Sequence, residues 1–506
     1  MATEAVFVPR AMKFFRYFVL LAAIVFIGAY LVLAFLRIGY PFELEWMEGG
    51  SVDHVVRILS GEKLYVAPSL EFIPFVYTPL YFYISAAVSK MAGTGFLPLR
   101  LVSFISSLGC LVVIFLMVRK ETQSSFWGAA ASGLFAATYR VSGAWFDIAR
   151  ADSLFLFFFL VALYLIKFRE SSKSYALAGL LVSLSFLTKQ AALLMCLPIT
   201  LYCLLLNRRR SIYFIGTVAI LVGASTYLLN WIHHGWYYYY VFDLPGHHSI
   251  AKSMYLGFWT KDIISTLPVP AWMSIFYLFT RLSNSNLKDF LFYLLMLVGM
   301  LGGAWFSRLH AGGYDNVLIP AYAALSITFG LGAHAAFQFI RVAGAKKRRL
   351  IQVFLYSVCL IQFLALTYDP AAQVPTREDV EAGDAFIETM SQLPGNVYVP
   401  CHGYLPSLAG KTCCAHQMAL VDVLRGKNCP AKTQLIQEIR QAVREKRFDA
   451  IIVDAAYIGP SWLLESIKKD YTGQTPVFHT RQGFWSVTGV RTRPQVIYLR
   501  NTTGSD

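Results

Sequence analysis

Apolar runs near the length that crosses a bilayer recur through most of the chain, at 15–36, 98–118, 125–142, 153–166, 212–231, 263–280, 290–306, 316–340 and 351–367. A further apolar stretch, 174–207, is long enough for two helices and breaks at Thr188-Lys189-Gln190. The pattern predicts eleven membrane-spanning helices. The first run is too long for a signal-peptide core and leads into acidic and aromatic residues instead of a small-residue cleavage site, so it predicts a retained helix. The stretch 77–93, opened by Thr78-Pro79, is apolar and aromatic as well. A crossing there would flip every later loop, so it predicts a juxtamembrane helix inside the first external loop, with Tyr81, Tyr83 and Lys90 at the interface. Earlier in that loop, Val52, Val55, Val56 and Leu59 recur at helical spacing, with Asp53, His54 and Arg57 off that face, which predicts a short amphipathic helix on the membrane surface.

After Tyr368 the period changes. Helical patterns near 378–393, 433–446 and 461–469 alternate with β-type runs at 396–399, 450–453, 476–479 and 495–499. The predicted fold class is an α-helical polytopic membrane protein with a small C-terminal α/β external domain, the boundary falling between 1–368 and 369–506.

Composition agrees: 57% of residues are hydrophobic and only 14% charged, which excludes a soluble enzyme, a disordered chain and a secreted disulfide scaffold. The net charge of +15 raises nucleic acid as a partner until the basic residues are located. Eighteen of them, among them Lys120, Lys167, Arg208, Arg209, Arg210, Lys288 and Arg341, fall in one alternating set of loops with only four acids, Glu4, Glu121, Glu170 and Asp289. The opposite loops and the tail are close to neutral. The charge is therefore a topology signal that puts the N-terminus in the cytoplasm and the C-terminal domain outside, and nucleic acid drops out.

Cys110, Cys196, Cys203 and Cys359 fall in spans, where a thiol is a small apolar filler. Cys401, Cys413, Cys414 and Cys429 fall in the external part, where two disulfides in three pairings, or a zinc site using His402 or His416, are open readings.

Ionisable residues concentrate on the external side. Glu43, Glu45 and Glu48 follow the first helix; Asp147, Arg150 and Asp152 lie at the outer end of the third span and run into Leu154 to Phe159. Charges next to so apolar a helix need one another or a water-filled cavity. Lys189 sits at a hairpin tip on the same side, and Arg308 and His310 precede the turn Gly312-Gly313-Tyr314-Asp315-Asn316. Cations beside free N–H groups at a helix N-terminus suit phosphate. His247 and His248, with Tyr77 and Tyr81, are candidates for contacting a sugar or acceptor; the loop around Tyr237 to Tyr240 could equally be an interfacial belt or hold metal ligands. Carboxylates and cations around one cavity, beside a bilayer that can supply a lipid phosphate, fit glycosyl transfer from a lipid-linked donor.

The order of these features, an acidic loop after the first helix, a Pro79-Leu80-Tyr81-Phe82-Tyr83 segment and then Arg150-Ala151-Asp152, resembles the GT-C superfamily of integral-membrane glycosyltransferases, particularly the branch of protein O-mannosyltransferases and lipid A aminoarabinose transferases. The resemblance covers about 12–368. It implies inverting transfer of a sugar from a polyprenyl-phosphate carrier to a hydroxyl acceptor, glycan, lipid or protein, on the outer face of a bacterial inner membrane. By spacing, Glu48 matches the family's base, with Glu45 as second choice; Asp152 with Asp147 matches the second acid; and Arg150, Lys189, Arg308 and His310 match the phosphate partners. No cofactor is expected; a divalent metal between the acids is possible in this superfamily but not favoured here, and no metal ligands are assigned. A lipid-linked sugar flippase or secondary transporter, and a non-catalytic membrane assembly protein, are the rival readings.

Overall fold

The structure is a computed structural model that describes residues 10–340 and 344–500; Glu4 and Arg341 lie outside them. Its first part is a bundle of eleven apolar helices. They are α1 (Arg10–Ile38), α4 (Phe96–Thr122), α5 (Ser125–Ala137), α6 (Asp152–Phe168), α7 (Ser172–Thr188), α8 (Ala191–Leu206), α9 (Arg208–Ile232), α10 (Pro268–Ser283), α11 (Leu287–Leu309), α12 (Ile319–Phe339) and α13 (Ala345–Ala365). All eleven predicted runs are helical. By length and composition, the described residues contain six helices that can each cross a membrane alone, or seven if Met254–Ser265 and Pro268–Ser283, bent by 93°, count as one broken span. Helices α5 to α8 have 13, 17, 17 and 16 residues. Seventeen residues rise about 25 Å, a little under the roughly 30 Å hydrocarbon thickness.

The helix ends sort into two faces. On one face Lys167 pairs with Glu121 (3.4 Å) and with Asp289, and Lys288 pairs with Glu170. On the other, α1 carries Arg37 in its last turn, α4 carries Arg100 near its start, α6 begins at Asp152, α7 ends before Lys189 and α12 begins after Asn316. The first loop on that face carries α2 (Glu48–Leu59) and α3 (Leu80–Ala92). Helix α3 packs on the start of α4. It has 13 residues, and the Tyr81 hydroxyl near its start donates to the Leu99 carbonyl (2.9 Å) near the start of α4.

Beyond Ala365 the chain builds an α/β module on this same face. Helices α14 (Arg377–Gln392), α15 (Gln417–Arg425), α16 (Pro430–Arg444) and α17 (Ser461–Asp470) surround a sheet of β1 (Val397–Tyr398), β2 (Ala450–Asp454), β3 (Gly473–Pro476) and β4 (Pro494–Leu499) in the order β1-β2-β4-β3. Strands β1 and β2 are parallel, and β4 runs antiparallel to both neighbours. Every residue of β2 is buried, as a central strand covered on both sides requires. The third strand lies earlier than the expected 476–479, and α15 replaces an expected loop.

The module is seated on the first loop, which changes the reading of α2. Val52 and Val55 are buried as the amphipathic pattern requires, but the polar face does not look into solvent. The Asp53 carboxylate accepts from the Tyr404 backbone N–H (3.0 Å), and His54 is sandwiched between the rings of Phe75 and Phe82. The helix is an internal layer between bundle and module, not a surface helix. Two glycines make this approach possible: a Cβ on Gly49 or Gly403 would collide with backbone of the other segment. Cys401, Cys413, Cys414 and Cys429 are all free thiols.

Candidate active site

The ends of α1, α4 and α6 bring the predicted acids together, but each acid has a different partner. Arg100 grips Glu48 through both oxygens, Nη2 at 2.6 Å and Nε at 3.0 Å, and the backbone N–H groups of Ala149 and Leu44 add two bonds of 2.6 Å. Both residues are fully buried. Burial alone would raise the Glu48 pKa; Arg100 and the N–H donors outweigh it and hold the carboxylate below its ordinary range. Both oxygens of Glu48, the base expected from spacing, are thus engaged, and it does not line the cavity described below. It ties the first loop to α4 and to the Ala149 turn. Asp147 is likewise engaged, with Arg37 Nε (2.8 Å) and Nη2 (2.6 Å) and with the Tyr139 hydroxyl (3.2 Å), and it fixes the end of α1.

Glu45 stands apart. It lines a cavity of about 470 Å³ between bundle and module. Oε2 accepts from the Met47 N–H (3.2 Å) and lies 3.6 Å from Arg150 Nη1, while Oε1 is buried with no hydrogen-bond partner in the protein. Burial pushes its pKa up to about 7, with Arg150 pulling against it. Arg150 donates from Nη2 to the Tyr77 hydroxyl (2.9 Å), and its Nη1, like Glu45 Oε1, is buried without a hydrogen-bond partner. Both residues and Tyr77 face the cavity, as does Lys189. Asp152, at the first turn of α6, holds the Lys189 ammonium (2.6 Å) and accepts from Asn316 Nδ2 (2.9 Å), both through Oδ1.

The remaining predicted residues divide. His310 and His248 line the cavity. Arg308 does not: Asp262 (3.0 Å), Asp315 (3.0 Å) and the Gly313 carbonyl (3.0 Å) engage its guanidinium, which shapes the glycine turn. Tyr81 is buried between α3 and α4, and His247 bonds the Asp243 carbonyl (2.6 Å) away from the cavity. Tyr237 and Tyr240 pack on Tyr65, so that aromatic loop serves as packing for the first loop. Trp46, Trp145 and Tyr314 give the cavity its flat apolar faces, and Asp422 and Arg425 of α15 close it from the module; sequence reasoning had assigned none of these five.

The module also grips the acidic loop from behind. His402 is bonded through Nδ1 to Glu43 and through Nε2 to Asp454 (3.0 Å), and Asp454 also accepts from the Thr492 hydroxyl (2.7 Å). Burial would strip the imidazole of its proton; the two carboxylates reverse this and push its pKa up to about 10, so the ring is an imidazolium. The backbone N–H groups of Val487 and Thr488 donate to the Leu44 carbonyl (3.0 and 3.2 Å). Gly489 lies against Glu45, where a Cβ would come within 2.7 Å of Glu45 Cγ. Among the described residues no three His, Cys, Asp or Glu side chains converge as metal ligands.

Solved structures share this arrangement of helices and module. ArnT from Cupriavidus metallidurans bound to undecaprenyl phosphate superposes with a TM-score of 0.57 at 12% identity, covering 96% of this chain and 99% of its own. Its apo form gives 0.56 at 13% identity, covering 94% and 97%. The archaeal oligosaccharyltransferase AglB from Archaeoglobus fulgidus, in complex with an inhibitory peptide and a dolichol-phosphate, gives 0.51 at 9% identity, covering 88% and 70%. No curated protein sequence matches. The bundle, the first loop beneath the module and the cavity between them are thus parts of a fold this chain shares with those proteins. Residues 76–231 match the model of the dolichyl-phosphate-mannose-protein mannosyltransferase family.

Proposed function

We propose that the protein transfers a sugar from a polyprenyl-phosphate donor to a hydroxyl acceptor, with inversion, and that Glu45 is the general base. One observation carries this reading: Glu45 Oε1 and Arg150 Nη1, a buried acceptor and a buried donor without hydrogen-bond partners, lie on the wall of one cavity beside Lys189. Buried polar groups are nearly always satisfied, so this pair is built to meet a ligand. A base and adjacent cations are the groups such a transfer requires. Glu45 Oε1 takes the proton of the acceptor hydroxyl as its oxygen attacks the anomeric carbon. The bond from that carbon to the phosphate oxygen breaks, and Arg150 and Lys189 stabilise the departing phosphate. Attack opposite the leaving group in a single displacement inverts the anomeric centre.

Undecaprenyl phosphate bound to ArnT and dolichol-phosphate bound to AglB support a lipid-phosphate donor. The two cations supply the positive charge the leaving group needs, so the reading requires no metal. We read the site as facing outward from a cytoplasmic membrane, because Lys120, Lys167, Arg208, Arg209, Arg210 and Lys288 sit in the loops away from it. The test is release of undecaprenyl phosphate, followed by mass spectrometry, when the purified protein meets a panel of undecaprenyl-phosphate monosaccharides with total membrane lipid and peptidoglycan extract as acceptors. Release that depends on both the sugar and the extract is expected. Transport of the intact sugar lipid across proteoliposomes without release would replace the transferase by a flippase.

A further inference from the structure

The cavity wall carries a further acidic group, and it comes from the module. Asp422 lies on α15 and is 4% exposed, yet it faces the cavity. His248 Nε2 bonds its backbone carbonyl (3.2 Å), not its side chain, and lies 4.0 Å from the nearest carboxylate oxygen. Burial holds the His248 pKa below its ordinary value, so the ring is neutral and its single N–H is engaged on that carbonyl. Burial pushes the Asp422 pKa up to about 7, with Arg425, one turn along, and Arg150 pulling against it, and neither arginine forms an ion pair with the carboxyl group. A carboxylate nine-tenths buried with no hydrogen-bond donor is costly unless a ligand supplies one.

The surroundings select the ligand's chemistry. Arg150 and Arg425 flank the carboxylate, so a cationic group would be repelled, and an anionic one would meet the carboxylate itself. Neutral hydroxyls remain, and the two oxygens can accept from two neighbouring ones. Trp46, Trp145 and Tyr314 provide flat apolar faces on the same cavity, which suits the C–H face of a sugar ring. We propose that Asp422 is a specificity-determining residue of the active site, its carboxylate accepting hydrogen bonds from vicinal hydroxyls of a sugar ring, whether the ring is the donor's transferred sugar or part of a glycan acceptor. The proposal rests on the transferase reading and extends it: the C-terminal module reads the sugar, while the bundle reads the phosphate.

The experiment compares wild type, Asp422→Ala, Asp422→Asn and Lys189→Ala in equilibrium binding of three probes: undecaprenyl phosphate, the undecaprenyl-phosphate monosaccharide that turns over fastest, and a panel of methyl glycosides. Because no protein group donates a hydrogen bond to the buried carboxyl, Asp422→Ala keeps or raises the thermal unfolding midpoint, which a structural residue would not do. It leaves the affinity for bare undecaprenyl phosphate within about two-fold and lowers the affinity for a sugar probe by about ten-fold or more, the loss of hydrogen bonds to a charged group. Asp422→Asn, which keeps one acceptor oxygen, loses less. A loss on the sugar lipid assigns the ring to the donor; a loss on the methyl glycosides alone assigns it to the acceptor. If Asp422→Ala binds all three probes as wild type does, the proposal is wrong and the transferase reading stands. If Lys189→Ala leaves undecaprenyl phosphate binding unchanged, the transferase reading fails first and this proposal goes with it.

Discussion

At the scale of single residues, Glu45 and Glu48 are alike in sequence and opposite in environment. They are three positions apart, so one turn of chain separates a carboxylate saturated by Arg100 from one with a vacant oxygen. What divides them is a residue 52 positions away, and spacing along the first loop carries no information about it. The acidic cluster, Arg150 and Lys189 were legible as charges next to apolar runs. The assignment of roles was not, because buried charges choose partners in three dimensions. The same applies to Arg308, whose partners are Asp262 and Asp315. One consequence is a pH profile. The base must be ionised to act, and burial raises Glu45 to about 7. The value of kcat/KM for sugar transfer should therefore rise with pH through about 7 and level off above it. A flat profile from pH 5 to 8 would remove Glu45 from the reaction. A second is steric: Gly489→Val places atoms against Glu45 Cγ and should reduce kcat about 10-fold or more, since small misplacements of catalytic groups are expensive. Unchanged turnover in that variant would show that the module does not set the position of Glu45.

At the scale of elements, helix α15 shows where sequence reading ran out. Its nine residues lie between Gly410 and Gly426 in a stretch whose cysteines and glycines suggested disulfide-linked loops. The longer α14, α16 and α17 were visible because each carries a full amphipathic face. Helix α2 was visible too, but not its second covering, since a polar face buried against another layer looks in sequence like one facing water. The contact that seats the layers is the His402 imidazolium between Glu43 and Asp454. Its raised pKa means that its contribution to stability is complete below about 6.5 and is lost as pH rises through about 10. His402→Gln leaves Asp454 buried without its cation, beside Glu43, whose pKa burial already pushes up to about 8, and should cost about 3 kcal/mol at neutral pH. Thermal unfolding of the two proteins from pH 7 to 10.5 should show the gap between them closing as wild type loses its proton. A gap constant with pH would mean that the ring holds the module only by packing.

For the whole molecule, the eleven apolar helices and the two sets of charged ends follow from hydropathy and the placement of lysine and arginine. The fold shared with ArnT and AglB at 9–13% identity shows how little sequence such a bundle must preserve. Sidedness can be checked by labelling: in inside-out vesicles, a cysteine introduced at Lys288 should react with an impermeant maleimide and one at Arg377 should not, both side chains being exposed. The reverse pattern would put the site in the cytoplasm.

The central claim is that Glu45, and not Glu48, removes the acceptor proton. Glu45→Gln and Glu48→Gln should be compared for release of undecaprenyl phosphate from the working donor, normalised to the folded fraction that still binds undecaprenyl phosphate. Glu45→Gln is expected to bind normally and to release about 10² to 10⁴ times more slowly, the usual contribution of a general base. Glu48→Gln is expected to unfold more easily, with its folded fraction still turning over. Normal release by Glu45→Gln, together with a folded, lipid-binding but inactive Glu48→Gln, would contradict the account.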